Sequence, residues 1–187
     1  ITSYISPKLA QENAIYGVFI DEKAIYPLDI RGHWAKDEII TTLRRGYTGL
    51  YYDSTFRADI NLTKVQLLLY LSKANNWKIK LADEDIEIVE NLKDFNDIEG
   101  IKELVAYSIK EGFLSISKDN RFNPNDSISY KELEKIINKV YGNKDFTWNR
   151  VSDKMATIKD KRCNSIDSMN NKVTRAEFSY MLNLIND

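Results

Sequence analysis

The chain has 187 residues, of which 43% are hydrophobic and 29% are charged, and its formal net charge at pH 7 is −1. This composition is typical of a globular protein with one or two modest cores, and it excludes a disordered chain. Cations and anions are interspersed, so the sequence has no basic patch for nucleic acid, and no apolar run approaches the roughly 20 residues that span a bilayer.

One cysteine, Cys163, and one histidine, His33, limit the chemistry. A lone thiol excludes an internal disulfide and a cysteine-based zinc cage, and a lone imidazole excludes Ser-His-Asp, Cys-His and multi-histidine metal sites within the chain. The sequence alone does not exclude a glycoside hydrolase that uses a pair of carboxylates, although no pair stands out among the 28 acidic residues. We therefore predict a protein that is not an enzyme and that has no metal and no cofactor.

Residues 1–28 precede the first recognisable unit. They contain a helix candidate that begins at Pro7 and runs through Ala14, and two β-rich pieces, Val18-Phe19-Ile20 and Ala24-Ile25-Tyr26. We interpret the segment as a lead-in or as the end of a preceding domain of the same polypeptide.

Two units repeat with an offset of 66 residues, one aligned at Gly46 and the other at Gly112. In each, an amphipathic helix ends before the glycine, at the C′ position where a positive φ is typical. A turn-rich loop follows. Its aromatic residue, Phe56 in the first unit and Phe122 in the second, is more often a buried plug than a ligand contact.

Each unit closes with a second helix, and a third copy of this helix start occurs near the end of the chain. A Thr or Ser followed three residues later by Glu or Gln predicts a capping box, and the apolar residues at N′ and N4 predict a hydrophobic staple. The three starts are Leu62-Thr63-Lys64-Val65-Gln66-Leu67, Ile128-Ser129-Tyr130-Lys131-Glu132-Leu133 and Val173-Thr174-Arg175-Ala176-Glu177-Phe178. Matching apolar stripes follow, so we expect three equivalent amphipathic helices.

The remaining segments differ from this pattern. Residues 78–94, between the first two units, are acidic and predict a short surface helix. The third unit keeps the box but has Thr157 and Asp167 in place of the loop glycine and phenylalanine, so its loop is shortened or rebuilt. A calcium-binding EF-hand is rejected, because the loop positions that need an acid and a glycine hold Arg121 and Asp126.

The residue after each N-cap is the part of the start that helix capping does not explain. Arg175 and Lys64 place a cation beside the positive end of a helix dipole, which costs about 0.3–1 kcal/mol. Two interpretations stay open: the cation and the unpaired N–H groups of the helix start form an anion site, or the cation pairs with an Asp or Glu of a neighbouring unit. Tyr130 occupies the same position in the second unit.

These motifs, in this order, resemble the S-layer homology domain: Asp29-Ile30-Arg31-Gly32-His33-Trp34-Ala35, the loop glycine and phenylalanine, and the Thr-Arg-Ala-Glu box at 174–177. The resemblance covers residues from about 29 to 187. It divides them into repeat 1 (29–77), the acidic insertion (78–94), repeat 2 (95–142) and repeat 3 (143–187). It implies a mainly α fold, in which three helix-loop-helix repeats form a pseudo-threefold bundle with short β pieces.

The resemblance also implies a function. Modules of this family hold exported proteins on Gram-positive cell walls by binding secondary cell-wall polysaccharide, often with a pyruvylated sugar, in grooves between repeats. On this basis we expect cell-wall polysaccharide as the partner, and an extracellular location at the cell wall or cell surface of a Gram-positive bacterium. The residues expected in ligand grooves are Arg175 and Lys64 as cations, Thr174 of the same box, and Asp29, Trp34 and Asp97 as sugar contacts.

Departures from the family pattern support an alternative. Tyr130 replaces the cation of the second box, Lys64 presents a point charge in place of a planar fork, and the third loop is degenerate. An S-layer-homology-like scaffold that has lost sugar binding, and that packs against a protein partner or another domain, therefore stays open. It predicts internal ion pairs for Arg175 and Lys64, and a buried Trp34.

Overall fold

The computed structural model describes residues 26–142 and 169–186. In these ranges the chain is mainly helical, as the sequence predicts, with six α-helices, three short 3₁₀ turns and, in place of strands, isolated antiparallel bridges. The helices are α1 Lys36–Arg44, α2 Lys64–Ala74, α3 Asp83–Glu90, α4 Lys102–Lys110, α5 Tyr130–Val140 and α6 Arg175–Asn186, and the turns are Leu28–Ile30, Phe95–Asp97 and Glu99–Ile101. The elements expected before residue 26 and the loop of repeat 3 lie outside the described residues.

The first helices of repeats 1 and 2, α1 and α4, end as predicted. Gly46 and Gly112 follow the C-cap residues with φ of +72° and +66°, a conformation that costs glycine little. The N–H of the next residue reaches back to the third-last helical carbonyl, at 2.9 Å in α1 and 2.8 Å in α4. This is the Schellman arrangement, which pairs carbonyls that a helix end leaves without partners.

All three capping boxes form, which confirms the predicted helix starts. The side-chain oxygen of each N-cap accepts a hydrogen bond from the N3 N–H, at 3.3 Å for Thr63 and Ser129 and at 3.2 Å for Thr174. In return, each N3 side chain accepts from the N-cap N–H, at 3.3 Å in α2 and at 2.8 Å in α5 and α6. A cap contributes about 1 kcal/mol, so the local sequence defines where these three helices begin.

The apolar stripes of α2, α5 and α6 meet in one hydrophobic core. The staple partners Leu62 and Leu67 of repeat 1 are fully enclosed in it, and the corresponding residues of the other two starts are at most 1% exposed. The stripe residues are Leu67, Tyr70, Leu71 and Ala74 in α2, Leu133, Ile136, Ile137 and Val140 in α5, and Phe178, Met181, Leu182 and Ile185 in α6. Burial of a large apolar side chain is worth about 1.5–3 kcal/mol, so this core is the main source of stability.

A closed ring of three backbone hydrogen bonds joins the segments that lead into α2, α5 and α6. Leu62 N–H donates to Val173 O at 2.8 Å, Val173 N–H donates to Ile128 O at 2.9 Å, and Ile128 N–H donates to Leu62 O at 3.0 Å. Antiparallel bridges lie beside these bonds. Each segment is therefore held by the other two, and the third is bonded directly to the first.

The first helices pack outside this core. α1 lies on α6, where Phe56 and Ala176 share a second hydrophobic cluster, and α4 lies on α2 and α3, where Leu68 and Phe122 share a third. Phe56 and Phe122 have no exposed surface, which confirms both as buried plugs beneath their loops. Each first helix thus packs against the second helix of another repeat, α1 against that of repeat 3 and α4 against that of repeat 1.

The acidic insertion forms the predicted short helix, α3. Its Val89 is fully buried in the third cluster. Two ion pairs join the insertion to α4, Lys110 with Asp85 and Lys102 with Glu90, each at 2.6 Å. These pairs are exposed to solvent and contribute little to stability, so apolar contact is the main attachment of α3.

Candidate functional site

The amides at the starts of α2, α5 and α6 are all paired. The capping boxes use the N-cap and N3 N–H groups, and the two N–H groups between them donate to backbone carbonyls of a neighbouring repeat at 2.9–3.1 Å. These bonds join Lys64 to Asp126 and Val65 to Pro124, Tyr130 to Asn171 and Lys131 to Met169, and Arg175 to Ile60 and Ala176 to Ala58. The expectation that unpaired N–H groups help to form an anion site is therefore wrong, because tertiary hydrogen bonds occupy them.

Arg175 is enclosed, with 2% of its surface exposed. Its Nε donates to Phe56 O and its Nη2 donates to Gly49 O, both at 2.8 Å, and its Nη1 donates to the Tyr70 hydroxyl. The guanidinium Cζ also lies 4.9 Å from the ring centroid of Tyr51 and 4.4 Å from that of Phe56. All these partners belong to repeat 1, so Arg175 joins the start of α6 to the loop and second helix of that repeat.

Neither interpretation of Arg175 from the sequence describes this contact. Its partners are neutral oxygens and aromatic rings, whereas the two interpretations required a ligand anion or a neighbouring carboxylate. A charge this deeply buried is tolerated because the hydrogen bonds and aromatic faces replace its hydration. Burial also raises the pKa of the Tyr70 hydroxyl, an effect that the charge of Arg175 partly offsets.

Lys64 has the same relationship to repeat 2 that Arg175 has to repeat 1. Its Nζ donates to Phe122 O at 2.8 Å, and it lies 5.6 Å from the centroid of the Phe122 ring. The same Nζ is 3.4 Å from Asp126 Oδ2, which agrees with pairing to an acid of a neighbouring unit. Unlike Arg175, Lys64 keeps 15% of its side chain exposed and borders an open groove.

The groove beside Lys64 has a volume of about 480 Å³ and lies between the end of α4, the loop after it, and α5. Lys64, Lys135 and Lys139 line it together with one acid, Glu132. Lys139 Nζ donates to Gly112 O at 2.6 Å, whereas Lys135 is exposed and makes no hydrogen bond or ion pair with the described residues. One ammonium group in the groove is therefore available to a ligand.

The carboxylate of Glu132 is already engaged in its capping box. It accepts from Ser129 N–H at 2.8 Å and from Ser129 Oγ at 2.7 Å. Burial by itself would raise the pKa of Glu132, but the hydrogen bonds from Ser129 and the charges of Lys172 and Lys64 hold it below its ordinary value. With Asp126 counted beside Lys64, three ammonium groups against two carboxylates still leave an excess of positive charge at the groove.

The same positions in repeat 1 are less basic. The 66-residue offset places Leu69 at the position of Lys135, Gln66 at that of Glu132 and Lys73 at that of Lys139. A second groove, of about 550 Å³, runs between α2 and α4, and its rim combines Lys73 and Lys102 with Glu99 and Glu103. Of these two grooves, the one beside Lys64 has the excess of positive charge, whereas the charges on the rim of the other balance.

Asp94, and not Asp97, is the counterpart of Asp29. The carboxylate of Asp29 accepts from the N–H groups of Phe56 and of the next residue, and Asp94 does the same at Phe122, with a shortest distance of 2.7 Å in both loops. Asp94 is 5% exposed, whereas Asp97 is exposed in its 3₁₀ turn. This acid precedes the phenylalanine by 27 residues in repeat 1 and by 28 in repeat 2, so Asp97, which the resemblance names with Asp29 among the sugar contacts, does not share the loop-binding position of Asp29.

Trp34 and Thr174 have structural surroundings. The ring of Trp34 is half-buried between α1 and α6, with its centroid 6.0 Å from that of Tyr180 and 5.5 Å from that of His33. Thr174 caps α6. The predicted site residues therefore lie in three places: Asp29, Trp34, Thr174 and Arg175 around the loop of repeat 1 and its contact with α6, Lys64 at the basic groove, and Asp97 on the surface.

The sequence did not single out Lys135 and Lys139. They lie one turn apart on the exposed face of α5, where lysines are usually solvated charges. Their four-residue spacing is the one local signal, and it also occurs on many ordinary surface helices. Their convergence with Lys64 arises from the contact between repeats.

Within residues 26–142 and 169–186, no group of three His, Cys, Asp or Glu side chains is arranged to hold a metal ion. In the same residues no helix combines the length and the apolar character that crossing a membrane requires. Comparison of the chain with protein-family models and with curated protein sequences gave no match.

Proposed function

We propose that the chain is a non-catalytic cell-wall anchoring module of the S-layer homology type, which binds secondary cell-wall polysaccharide on the outside of a Gram-positive cell. The binding site is the groove beside Lys64. Its ligand is an acidic saccharide, such as a pyruvylated one, because ammonium groups bind carboxylates through charge-assisted hydrogen bonds. The excess of lysine in this groove is the observation that carries the proposal.

The arrangement of the helix starts supports the family's pseudo-threefold bundle as the architecture. The ring of hydrogen bonds through Leu62, Ile128 and Val173 relates the three starts in cyclic order, and the three second helices share one core. In this architecture α2, α5 and α6 form the central bundle. The first helices and their loops form the prongs, with grooves between them.

The groove residues take different parts in the proposed binding. Lys135 offers an ammonium group that has no partner in the part of the chain that the structure describes. Lys64 already donates to Phe122 O and to Asp126 Oδ2, but an ammonium group has three N–H donors, so one is left for a ligand. Lys139, on α5, contributes charge from an ammonium group that is held by its hydrogen bond to Gly112 O, and the ring of Phe113 contributes apolar surface for a sugar face.

Retention on purified wall polysaccharide tests the proposal. We expect the wild type to be retained on pyruvylated polysaccharide and to be retained less after removal of the pyruvyl group. Lys135→Glu is expected to weaken retention by about tenfold or more, the value of one charge-assisted hydrogen bond. Lys131→Glu is the matched control, since it makes the same charge change one turn earlier on α5 and outside the groove. Equal retention of the two variants, or none of the wild type, would contradict the proposal.

A specific observation favours a second candidate, a scaffold of the same type that packs against a protein or another domain without binding sugar. Arg175, which best matches the family's cation, is used entirely in internal contacts. The amides of the helix starts are used in the same way. The scaffold predicts a folded wild type that is not retained on wall polysaccharide with or without the pyruvyl group.

A further inference from the structure

The groove between α2 and α4 lies where the corresponding contact between α1 and α6 is filled by two aromatic rings. In that contact, Trp34 packs against Tyr180, with 6.0 Å between the ring centroids. Trp34 lies two residues before α1, and the residue two before α4 is Gly100. Tyr180 is the sixth residue after the N-cap of α6, and the sixth after that of α2 is Leu69. Smaller residues thus replace both rings, and they line a groove of about 550 Å³.

Neither the backbone nor close packing requires a glycine at position 100. Gly100 lies in the 3₁₀ turn Glu99–Ile101, its φ is not positive, and a Cβ at this position would meet nothing within 4 Å. Gly112 differs in both respects, since its φ is +66° and its Cβ would lie 2.8 Å from Lys139 Nζ. A larger residue would therefore fit at position 100 without strain, and the glycine there keeps the groove open.

Trp77 lines the same groove and is held in place from several sides. The residue before it, Asn76, turns the chain after α2 with φ of +47°, and the N–H of Trp77 donates to Ser72 O at 3.1 Å. The indole stacks on Phe113, with 5.3 Å between centroids and 29° between planes, and the ring of Tyr107 lies 5.2 Å away. Trp77 nevertheless stays partly exposed, so it presents a fixed aromatic surface at the groove.

Several polar groups at this groove have no hydrogen bond or ion pair with the described residues. They are the indole N–H of Trp77, the amide of Asn76 and the carboxylates of Glu99 and Glu103. Lys102, which lies between the two acids in the sequence, is paired with an acid of α3 at 2.6 Å. The groove therefore offers N–H donors and carboxylate acceptors beside an aromatic ring.

This combination suits a neutral sugar. Sugar hydroxyl groups donate to carboxylates and accept from indole and amide N–H groups, while the apolar face of a sugar ring packs on an aromatic side chain. An anion gains no net attraction, because the charges of Glu99 and Glu103 balance those of Lys73 and Lys102 on the rim. A wholly apolar ligand would cover these polar groups without pairing them, which is unfavourable.

We propose that the groove between α2 and α4 binds a neutral sugar residue of the same wall polysaccharide whose acidic residue binds beside Lys64; this inference rests on the proposed function. Phe113 lines the groove beside Lys64 and Trp77 lines the groove between α2 and α4, so the stacked pair forms a boundary that the two grooves share. One saccharide chain crosses this boundary. The indole of Trp77 packs on the neutral sugar, and Glu99 and Glu103 accept hydrogen bonds from its hydroxyl groups.

Retention of Gly100→Trp on wall polysaccharide tests the inference. The variant gives repeat 2 the side chain that repeat 1 has at this point, so it fills the groove, and its Tm should equal or exceed that of the wild type because position 100 has room. Retention on pyruvylated polysaccharide is expected to fall about fivefold, the value of one aromatic contact. The weaker retention that the wild type keeps after removal of the pyruvyl group should be lost. Asn96→Trp is the matched control, because it adds an exposed indole four residues earlier and outside the groove, and it should be retained as the wild type is.

The outcomes separate this inference from the proposed function. If Gly100→Trp is retained as well as the wild type while Lys135→Glu is retained less, the proposed function stands and this inference is wrong. If Asn96→Trp loses as much retention as Gly100→Trp, the loss does not come from the groove, and the inference is again wrong. A wild type that is retained on neither polysaccharide contradicts the proposed function and this inference together.

The indole N–H resonance of Trp77 gives a second test that needs no change in the groove. The chain has three tryptophans, and Trp77→Phe identifies the resonance by its absence. Fragments of polysaccharide without the pyruvyl group should shift this resonance in the wild type and equally in Lys135→Glu, because the neutral sugar does not depend on the lysine. A Trp77 resonance that does not move in the wild type would overturn the inference.

Discussion

Arg175 Nε donates a hydrogen bond to Phe56 O at 2.8 Å, across 119 residues of sequence. The bond fixes the start of α6 to the loop of repeat 1. Lys64 Nζ makes the corresponding bond to Phe122 O, also at 2.8 Å, between repeats 1 and 2. A cation after the N-cap thus holds two repeats together, and this contact outweighs the roughly 0.3–1 kcal/mol that the helix dipole costs it.

Replacement of Arg175 is expected to destabilise the fold strongly. Arg175→Ala leaves two carbonyls and a hydroxyl without their donor and opens a cavity, at a cost of about 3–5 kcal/mol in the free energy of unfolding. Lys64→Ala, at the matched position, is expected to cost about 1 kcal/mol, because Lys64 is partly exposed and makes one short hydrogen bond. Urea denaturation measures both losses. Equal losses would contradict the role assigned to burial.

Asp94 is expected to matter for stability where Asp97 does not. Asp94→Ala removes the charged acceptor of two loop amides and should cost about 2–3 kcal/mol. Asp97→Ala, at an exposed position, should change stability by less than about 0.5 kcal/mol. Hydrogen exchange at the amide of Phe122 should accelerate in the first variant alone. A larger effect of Asp97→Ala than of Asp94→Ala would contradict the loop-binding role of Asp94.

Gly112 and Gly46 have similar backbone conformations, so alanine substitutions at the two positions test whether the groove residue Lys139 takes part in binding. Gly112→Ala and Gly46→Ala both place a side chain at positive φ, which costs about 1–2 kcal/mol. A Cβ at Gly112 would lie 2.8 Å from Lys139 Nζ, whereas a Cβ at Gly46 meets nothing within 4 Å. Both variants should therefore have a lower Tm, and Gly112→Ala should in addition displace Lys139 and weaken retention on wall polysaccharide. Unchanged retention of Gly112→Ala would argue against a part for Lys139 in binding.

The loop of repeat 1 is expected to stay intact in acid. Hydrogen bonds from Thr55, followed by one from Arg57, lower the pKa of Asp53 to about 2. Because the folded pKa is depressed, the contribution of Asp53 is present above its ordinary value of 3.8 and is lost as the pH falls through about 2. NMR titration of the Asp53 carboxyl carbon should give this low midpoint, and Thr55→Ala should raise it more than Arg57→Ala. A wild-type midpoint near 3.8 would contradict these hydrogen bonds.

The features that the sequence predicts correctly depend on partners a few residues away. The hydrogen-bond partner of Thr63 is Gln66, in the first turn of α2. The N–H of Gly46, which follows α1, bonds to Leu43 O in the last turn of that helix. The apolar stripes are local as well, because helical periodicity alone places them on one face. Helix starts, helix ends and the core faces therefore follow from the pattern of residues.

The features that the sequence does not predict depend on distant partners. The hydrogen-bond partners of Arg175 lie 105 to 126 residues away, and no local pattern specifies them. A single extra residue before Phe122 moves the loop-binding acid to Asp94. The basic groove forms where α5 meets the start of α2, so Lys135 resembles any solvated lysine until that contact is known.

Removal of any one repeat would break two of the three hydrogen bonds that join Leu62, Ile128 and Val173. A chain that stopped after residue 142 would leave the Leu62 N–H without its acceptor and the Ile128 carbonyl without its donor, at the centre of the shared core. Open solenoids tolerate removal of an end repeat, because each repeat touches its neighbours along a line. In this chain the first and last repeats are also bonded to each other, through Leu62 N–H and Val173 O. During synthesis the first two repeats must therefore wait for the last segment to emerge before the fold is complete, which predicts slow, all-or-none folding governed by a contact between distant parts of the chain.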